Sequence, residues 1–167
     1  AAGMLSKAKR PLILAGTGVH RSGATAALTA LAERLPASGT TTTAGKGSIS
    51  DRNPLALGHA LTPSAMRAYK PLVDFTQTRA VVLAVGTGIG PVELLGIHPG
   101  QVIRVDIDAN ALTADQELTI KADARTTLEI LTELVRPGRA EDPIVTISEL
   151  NAVRFGDTEQ LQPQRSY

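Results

Sequence analysis

The sequence predicts an α/β fold, an open and mostly parallel sheet with helices on both faces. Three observations carry this. PLILAG (11–16) and RAVVLAVG (79–86) are short continuous apolar runs ending in glycine, and QVIRVDID (101–108) is a third run ending in aspartate. Such runs belong to strands buried on both faces of a parallel sheet. Between them lie stretches with apolar residues three and four apart, the spacing of a helix with one buried face. The connections are short and rich in Gly and Pro.

Taken in order, AAGMLSKAKR reads as a helix already under way, with Leu5 and Ala8 on one side. PLILAG is the first core strand. The next stretch turns at TGVHRSG and enters a helix on which Ala24, Ala27, Leu28, Leu31, Ala32 and Leu35 recur, with Ser22 as its cap and Pro36 as its stop. Gly39 to Thr43 is β-branched and reads as a strand leaving into the glycine-rich AGKGSI. A proline-dotted loop is expected through Asn53-Pro54 and Leu57-Gly58, then a short helix from Pro63 to Tyr69. Arg79 to Gly86 is the strongest strand and should sit in mid-sheet. Val102, Ile103, Val105 and Ile107 form the next, terminating among Asp106 and Asp108, and Leu118 to Asp123 forms one more. Asp123 then precedes a helix with Leu128, Leu131, Leu134 and Val135 on one face, stopped by Pro137-Gly138.

Composition narrows the function. The 167 residues suit one domain, and 43% hydrophobic with 20% charged residues argues against disorder. Seventeen Lys and Arg against sixteen Asp and Glu leave a formal charge of +1. That provides no footprint for a phosphate backbone, so nucleic acid is not an expected partner. No cysteine is present, which removes disulfides, thiolate metal sites and a cysteine nucleophile. With 2% aromatics and no Trp there is no stacking platform for single strands. No apolar run approaches a membrane span and no signal-peptide pattern opens the chain, so a cytoplasmic location is expected. The helix-like start at Ala1 and the polar finish in QLQPQRSY suggest a piece of something longer; a mature protein with loose termini is the alternative.

Two strands end in the same triplet, Gly16-Thr17-Gly18 and Gly86-Thr87-Gly88, seventy positions apart. In a parallel sheet both lie at the carboxyl edge, where open α/β folds bind ligands. Glycine there lets a backbone approach a phosphate, and tight turning is the competing reason for it. Neither triplet completes the dinucleotide fingerprint: Arg21 stands where the third glycine would be, and the second triplet continues Ile89-Gly90-Pro91 toward Glu93. Asp106 lies twenty residues beyond Gly86 at the next strand's end, the place of a ribose-binding carboxylate. Asp108 reads as a turn residue ahead of Ala109-Asn110. The Gly39 to Gly45-Lys46-Gly47 spacing is too long for a P-loop. His20, His59 and His98 fall in expected loops as surface histidines, without a metal-binding or nucleophile-elbow context. Glu129 and Glu133 share an exposed helix face. The sequence holds no complete catalytic set and no metal set.

Read in order, the blocks AKRPLILAGTGVHRSGA, AGKGSISDRNPLALG, RAVVLAVGTGIG, VIRVDIDA and ADARTTLEIL resemble the central domain of thiamine diphosphate-dependent enzymes of the acetolactate synthase and 2-keto acid decarboxylase superfamily. The resemblance covers residues 1–136. It implies a three-layer Rossmann-like parallel sheet of about six strands, of the type shared with deoxyhypusine synthase and sirtuins. Residues 137–167 are then similar to a linker towards a pyrophosphate-binding domain.

The resemblance further implies that thiamine diphosphate and magnesium are held in the full-length enzyme by other domains, which supply the activating glutamate and a Gly-Asp-Gly motif. Here Gly156-Asp157 is followed by Thr158, so no metal site is carried over. The implied partners are the flanking pyrimidine- and pyrophosphate-binding domains, in a homodimer or homotetramer. Some relatives hold FAD or an ADP-type nucleotide in this domain. The matching positions are Gly16, Gly18, Gly45, Lys46, Gly47, Gly86, Asp106 and Asp123. FAD-binding relatives carry an arginine and an aromatic where this chain has Gly88 and Ile89, and a His-Gly segment where it has LGHALTPSAMRAYK. FAD is therefore not expected, while an ADP-type nucleotide or a purely bracing role stays open. The alternatives are a stand-alone NAD-dependent enzyme or nucleotide-binding domain of the same fold, which the absence of cysteines and of a full glycine fingerprint disfavours, and a simple interaction module.

Overall fold

The computed structural model describes residues 1–9, 11–59, 81–88, 101–112 and 118–138. Helix α1 (Ala2–Lys7) leads into strand β1 (Pro11–Ala15). Helices α2 (Thr17–Arg21) and α3 (Thr25–Arg34) follow, then strands β2 (Ser38–Thr41) and β3 (Ala56–His59). Strands β4 (Val81–Val85) and β5 (Val102–Asp106) come next, then a 3-10 turn (Ala109–Leu112), β6 (Leu118–Lys121) and helix α4 (Ala124–Leu134). The six strands form one sheet in the order β3-β2-β1-β4-β5-β6, and every pairing is parallel. The order reverses between β1 and β4, which makes their carboxyl ends the topological switch point of the sheet.

Register explains why β1 and β4 are apolar throughout and why β5 is apolar on one face. Ile13 pairs with Leu83 and Leu83 with Ile103, so these residues, with Ala15, Val85 and Val105, share one face. They form one core with Val19 of α2, Leu28, Leu31 and Ala32 of α3, and Leu128 and Leu131 of α4. Leu12, Leu14, Val82, Ala84 and Val102 point to the opposite face and are equally buried. The sheet is thus covered on both sides, in the three-layer arrangement expected.

Several local expectations need correction. Ser22 does not cap the long helix; that stretch is two helices, and Ser22 Oγ donates back to the Gly18 carbonyl at 2.9 Å where α2 ends. The residue ahead of α3, Ala24, provides no side-chain cap. The strand expected from Gly39 to Thr43 spans Ser38–Thr41. Residues 56–59, read as loop, form the edge strand β3; their pairing with β2, helped by a register shift and Gly58 at φ 76°, outweighs a sequence without β-branched residues. Ile107 is 73% exposed, because β5 ends at Asp106, and Leu134 is 64% exposed, because Val135 completes the buried stripe of α4 instead. His20 lies in α2 and His59 in β3 rather than in loops. The helix expected over 63–69, His98 and the tail beyond 138 lie outside the described residues.

Helix α4 is tied back to the beginning of the chain. The Arg136 N–H donates to Ser6 Oγ at 3.0 Å, the Gly138 N–H to the Arg34 carbonyl at 2.8 Å, and Arg34 Nε to the Val135 carbonyl at 3.3 Å. Among the described residues no helix is long and apolar enough to cross a membrane.

Candidate ligand-binding cleft at the carboxyl edge

Three turns meet above the ends of β1, β2 and β4, and their backbones continue the sheet's hydrogen bonding. The Gly16 N–H donates to the Val85 carbonyl, Gly18 to Gly86, Gly86 to Val105 and Thr42 to Ala15, at 2.8–2.9 Å. The packing leaves no room for side chains. A Cβ on Gly16 would stand 2.2 Å from the Gly86 carbonyl oxygen, one on Gly18 2.5 Å from Gly86 Cα, and one on Gly45 2.3 Å from the Ala15 oxygen. Gly86 is held at φ 59°, a left-handed conformation that favours glycine. At these positions glycine serves the contact of turn with turn, and the N–H groups of Gly16, Gly18 and Gly86 are already engaged.

The second turn is held by a histidine. His20 Nε2 lies 3.0 Å from the Lys46 carbonyl and 3.2 Å from Ser48 Oγ. A carbonyl only accepts, so this nitrogen carries the proton. The Lys46 side chain is exposed, and Gly47 sits at φ 89° beside the imidazole.

A cleft of about 450 Å³ opens beside the first and third turns. Of the sequence-predicted residues, Gly18, Gly86, Asp106 and Asp123 line it together; Gly16, Gly45, Lys46 and Gly47 do not. Thr17, Arg21, Ser22 and Gly88 also line it and were not in the predicted set. Arg21 could have been read from the helical turn after Gly18, since residues three apart on a helix share a face.

Each carboxylate has a defined local task. Asp106 Oδ1 accepts the Asp108 N–H at 2.9 Å, and Asp108 Oδ1 accepts the Asn110 N–H at 2.9 Å, two successive Asx turns that carry the chain away from β5. Asp108 therefore acts as the turn residue expected. Asp123 caps α4, its Oδ1 accepting the Thr126 N–H at 2.9 Å and the Thr126 hydroxyl at 3.2 Å. The Thr126 amide, and then its hydroxyl and the neighbouring Arg125, hold the Asp123 carboxyl below its ordinary value. Among the described residues the rim carries Asp106, Asp108 and Asp123 and the guanidinium of Arg21. The carboxylates can accept from sugar hydroxyls, and Arg21 can face a phosphate.

One charged residue escaped the sequence reading. Arg104, in the middle of β5, is fully buried, and its Nη1 donates to the Thr87 and Gly88 carbonyls at 3.4 Å. Within an apolar run it reads as the polar break of a strand, so only burial distinguishes it.

An open parallel sheet in this strand order, with a cleft at its switch point, defines a three-layer α/β domain of the Rossmann-like type. The family described as "Thiamine pyrophosphate enzyme, central domain" matches residues 1–131, and the chain belongs to it. The chain is 36% identical over 148 residues to a probable 2-ketoarginine decarboxylase of Pseudomonas aeruginosa, covering 85% of this chain and 25% of that protein. It is 32% identical over 139 residues to a probable acetolactate synthase large subunit of Methanococcus aeolicus, covering 78% and 22%. A solved structure from Mycobacterium smegmatis, described as that of "a putative thiamin diphosphate-dependent enzyme", superposes with a TM-score of 0.64 at 22% identity, over 83% of this chain and 27% of that one, and shows the same fold. The chain spans about a quarter of the length of the curated relatives it matches.

The described residues do not fit thiamine diphosphate. Glu33, Glu129 and Glu133 are exposed on the outer sides of α3 and α4, away from the cleft, and among the described residues no group of His, Asp or Glu is placed to hold a metal ion.

Proposed function

We propose that this chain is the central, mainly structural domain of a thiamine diphosphate-dependent 2-keto acid decarboxylase or acetolactate synthase-like enzyme, and that it is not catalytic alone. The observation that carries this is the match to a central domain over a quarter of each relative's length, joined to a cleft that holds no catalytic set among the described residues. In this reading residues 1–136 are the domain and 137–167 a linker. Flanking pyrimidine- and pyrophosphate-binding domains hold thiamine diphosphate and magnesium, in a homodimer or homotetramer. The 167-residue chain, supplied with thiamine diphosphate, Mg²⁺ and a panel of 2-keto acids, is expected to release no CO₂. Turnover by the chain alone would overturn the reading.

The cleft in this proposal takes an ADP-type nucleotide rather than FAD. Asp106, whose Oδ1 is occupied by the turn, presents Oδ2 to a ribose hydroxyl. Gly18 and Gly86 admit the nucleotide close to the backbone, Arg21 faces the phosphates, and Asp123 stands at the adenosine side. A volume of about 450 Å³ lies in the range of small-ligand sites. Calorimetric titration of the full-length enzyme is expected to show saturable ADP binding, and the purified enzyme to carry no flavin absorbance; a yellow preparation, or no heat with ADP, would reject this assignment.

A further inference from the structure

Arg104 stands where an apolar residue would serve the sheet better. Its neighbours in β5, Val102, Ile103 and Val105, are apolar and buried, and strand alternation puts Arg104 on the face of Val102, Ala84 and Leu14. Taking a guanidinium out of water is costly unless its hydrogens are engaged. Two of the contacts involve the turn after β4. Nη1 reaches two successive carbonyls, those of Thr87 and Gly88, each at 3.4 Å. Two carbonyl dipoles converging on one point repel each other, so this orientation is favoured with a hydrogen-bond donor between them, and most strongly with a cationic one. The same turn carries the Gly86 carbonyl, which accepts the Gly18 N–H at 2.9 Å on its way into the cleft wall.

We propose that Arg104 is a positioning residue that grips the 86–88 turn from within the sheet. Its hold on the Thr87 and Gly88 carbonyls fixes the turn so that the Gly86 carbonyl stays aimed at Gly18 and the two glycine turns remain locked as one wall of the cleft. Arginine suits this because its planar fork spans two acceptors in a set geometry, whereas a lysine ammonium is a single point charge on a flexible stem. A methionine of similar length fills the space without any donor. The lock stands on the geometry alone; its effect on nucleotide affinity rests on the reading of the cleft given above.

The test uses the full-length enzyme with Arg104→Met and Arg104→Lys. Native-state hydrogen exchange at the Gly18 amide is compared with exchange at the Leu14 and Leu83 amides of the central strands. In Arg104→Met the Gly18 amide is expected to exchange at least about ten-fold faster relative to the strand amides, and ADP affinity to fall by about ten-fold. Arg104→Lys, which keeps the charge, recovers part of both and carries the same comparison should the methionine variant fold poorly. If Gly18 and the strand amides change together, or Gly18 does not change, the lock is refuted. If the wild-type enzyme binds no ADP, the nucleotide reading fails, and the exchange comparison still decides the role of Arg104.

Discussion

Gly18 and Gly86 stand back to back: a Cβ built on either one falls 2.5 Å from the Cα of the other. The first turn after β1 and the turn after β4 thus meet through bare backbone, joined by the Gly18 N–H to Gly86 carbonyl bond. Overpacking at Gly18→Ala is expected to cost about 1–3 kcal/mol, and Gly86→Ala, with the left-handed conformation added, about 2–4 kcal/mol. Gly88→Ala, with nothing within 4 Å of its Cβ, should stay within about 0.5 kcal/mol of wild type. Gly3→Ala, equally open and inside α1, should stabilise by about 0.5–1 kcal/mol. Urea unfolding of the four variants checks the series.

The buried stripe of α4 runs through Leu128, Leu131 and Val135 and leaves Leu134 outside, 64% exposed against 4% for Leu131. Leu131→Ala is expected to lose about 2–5 kcal/mol and Leu134→Ala less than about 1 kcal/mol. The same denaturation measurement separates them.

Asp123 links stability to pH. Its folded carboxyl titrates below the ordinary 3.8, chiefly through the Thr126 amide. The charged cap therefore contributes fully above the unfolded value and loses its contribution as pH falls through the lower folded value. Asp123→Ala should be less stable than wild type at neutral pH, and the gap should close on acidification below pH 3.8. A gap that widened with acid would contradict the assignment.

If the cleft holds a nucleotide as proposed, its two ends respond differently. Asp106→Ala removes the ribose acceptor and is expected to weaken both ADP and adenosine by about 10- to 100-fold. Arg21→Ala removes an exposed cation and should weaken ADP by about five-fold at low salt, leaving adenosine unchanged. Calorimetric titration of both ligands against both variants tests the orientation.

Much of the sheet was legible because β1 and β4 are buried on both faces and so read as unbroken apolar runs, and β5 reads the same way apart from Arg104. The edge strand β3 was not. Ala-Leu-Gly-His has no β-branched residue, and only its pairing with β2 makes it a strand. Helix α2 was hidden because Thr17–Arg21 is only five residues long and buries one apolar side chain, Val19, too little for a helical period, so the stretch read as a turn. In the site, Asp106 and Asp123 could be placed by their position at element ends. The glycines were found for a reason the sequence could not assign, since close packing of Gly16 on Gly86 and close approach of a ligand demand the same residue. Arg104 was missed because a guanidinium in a strand declares itself only when its surroundings are known.

The bond from Arg136 to Ser6 joins residues 130 positions apart. It closes the described part of the chain into a ring, with α1 and the end of α4 fastened at the same corner. Residues beside Ser6 and residues beside Arg136 are therefore held together at one edge of the described fold, without the sheet between them. Such a unit can be spliced into a longer polypeptide with little disturbance, and a circular permutant that fuses these neighbouring ends and reopens the ring elsewhere should keep the same core.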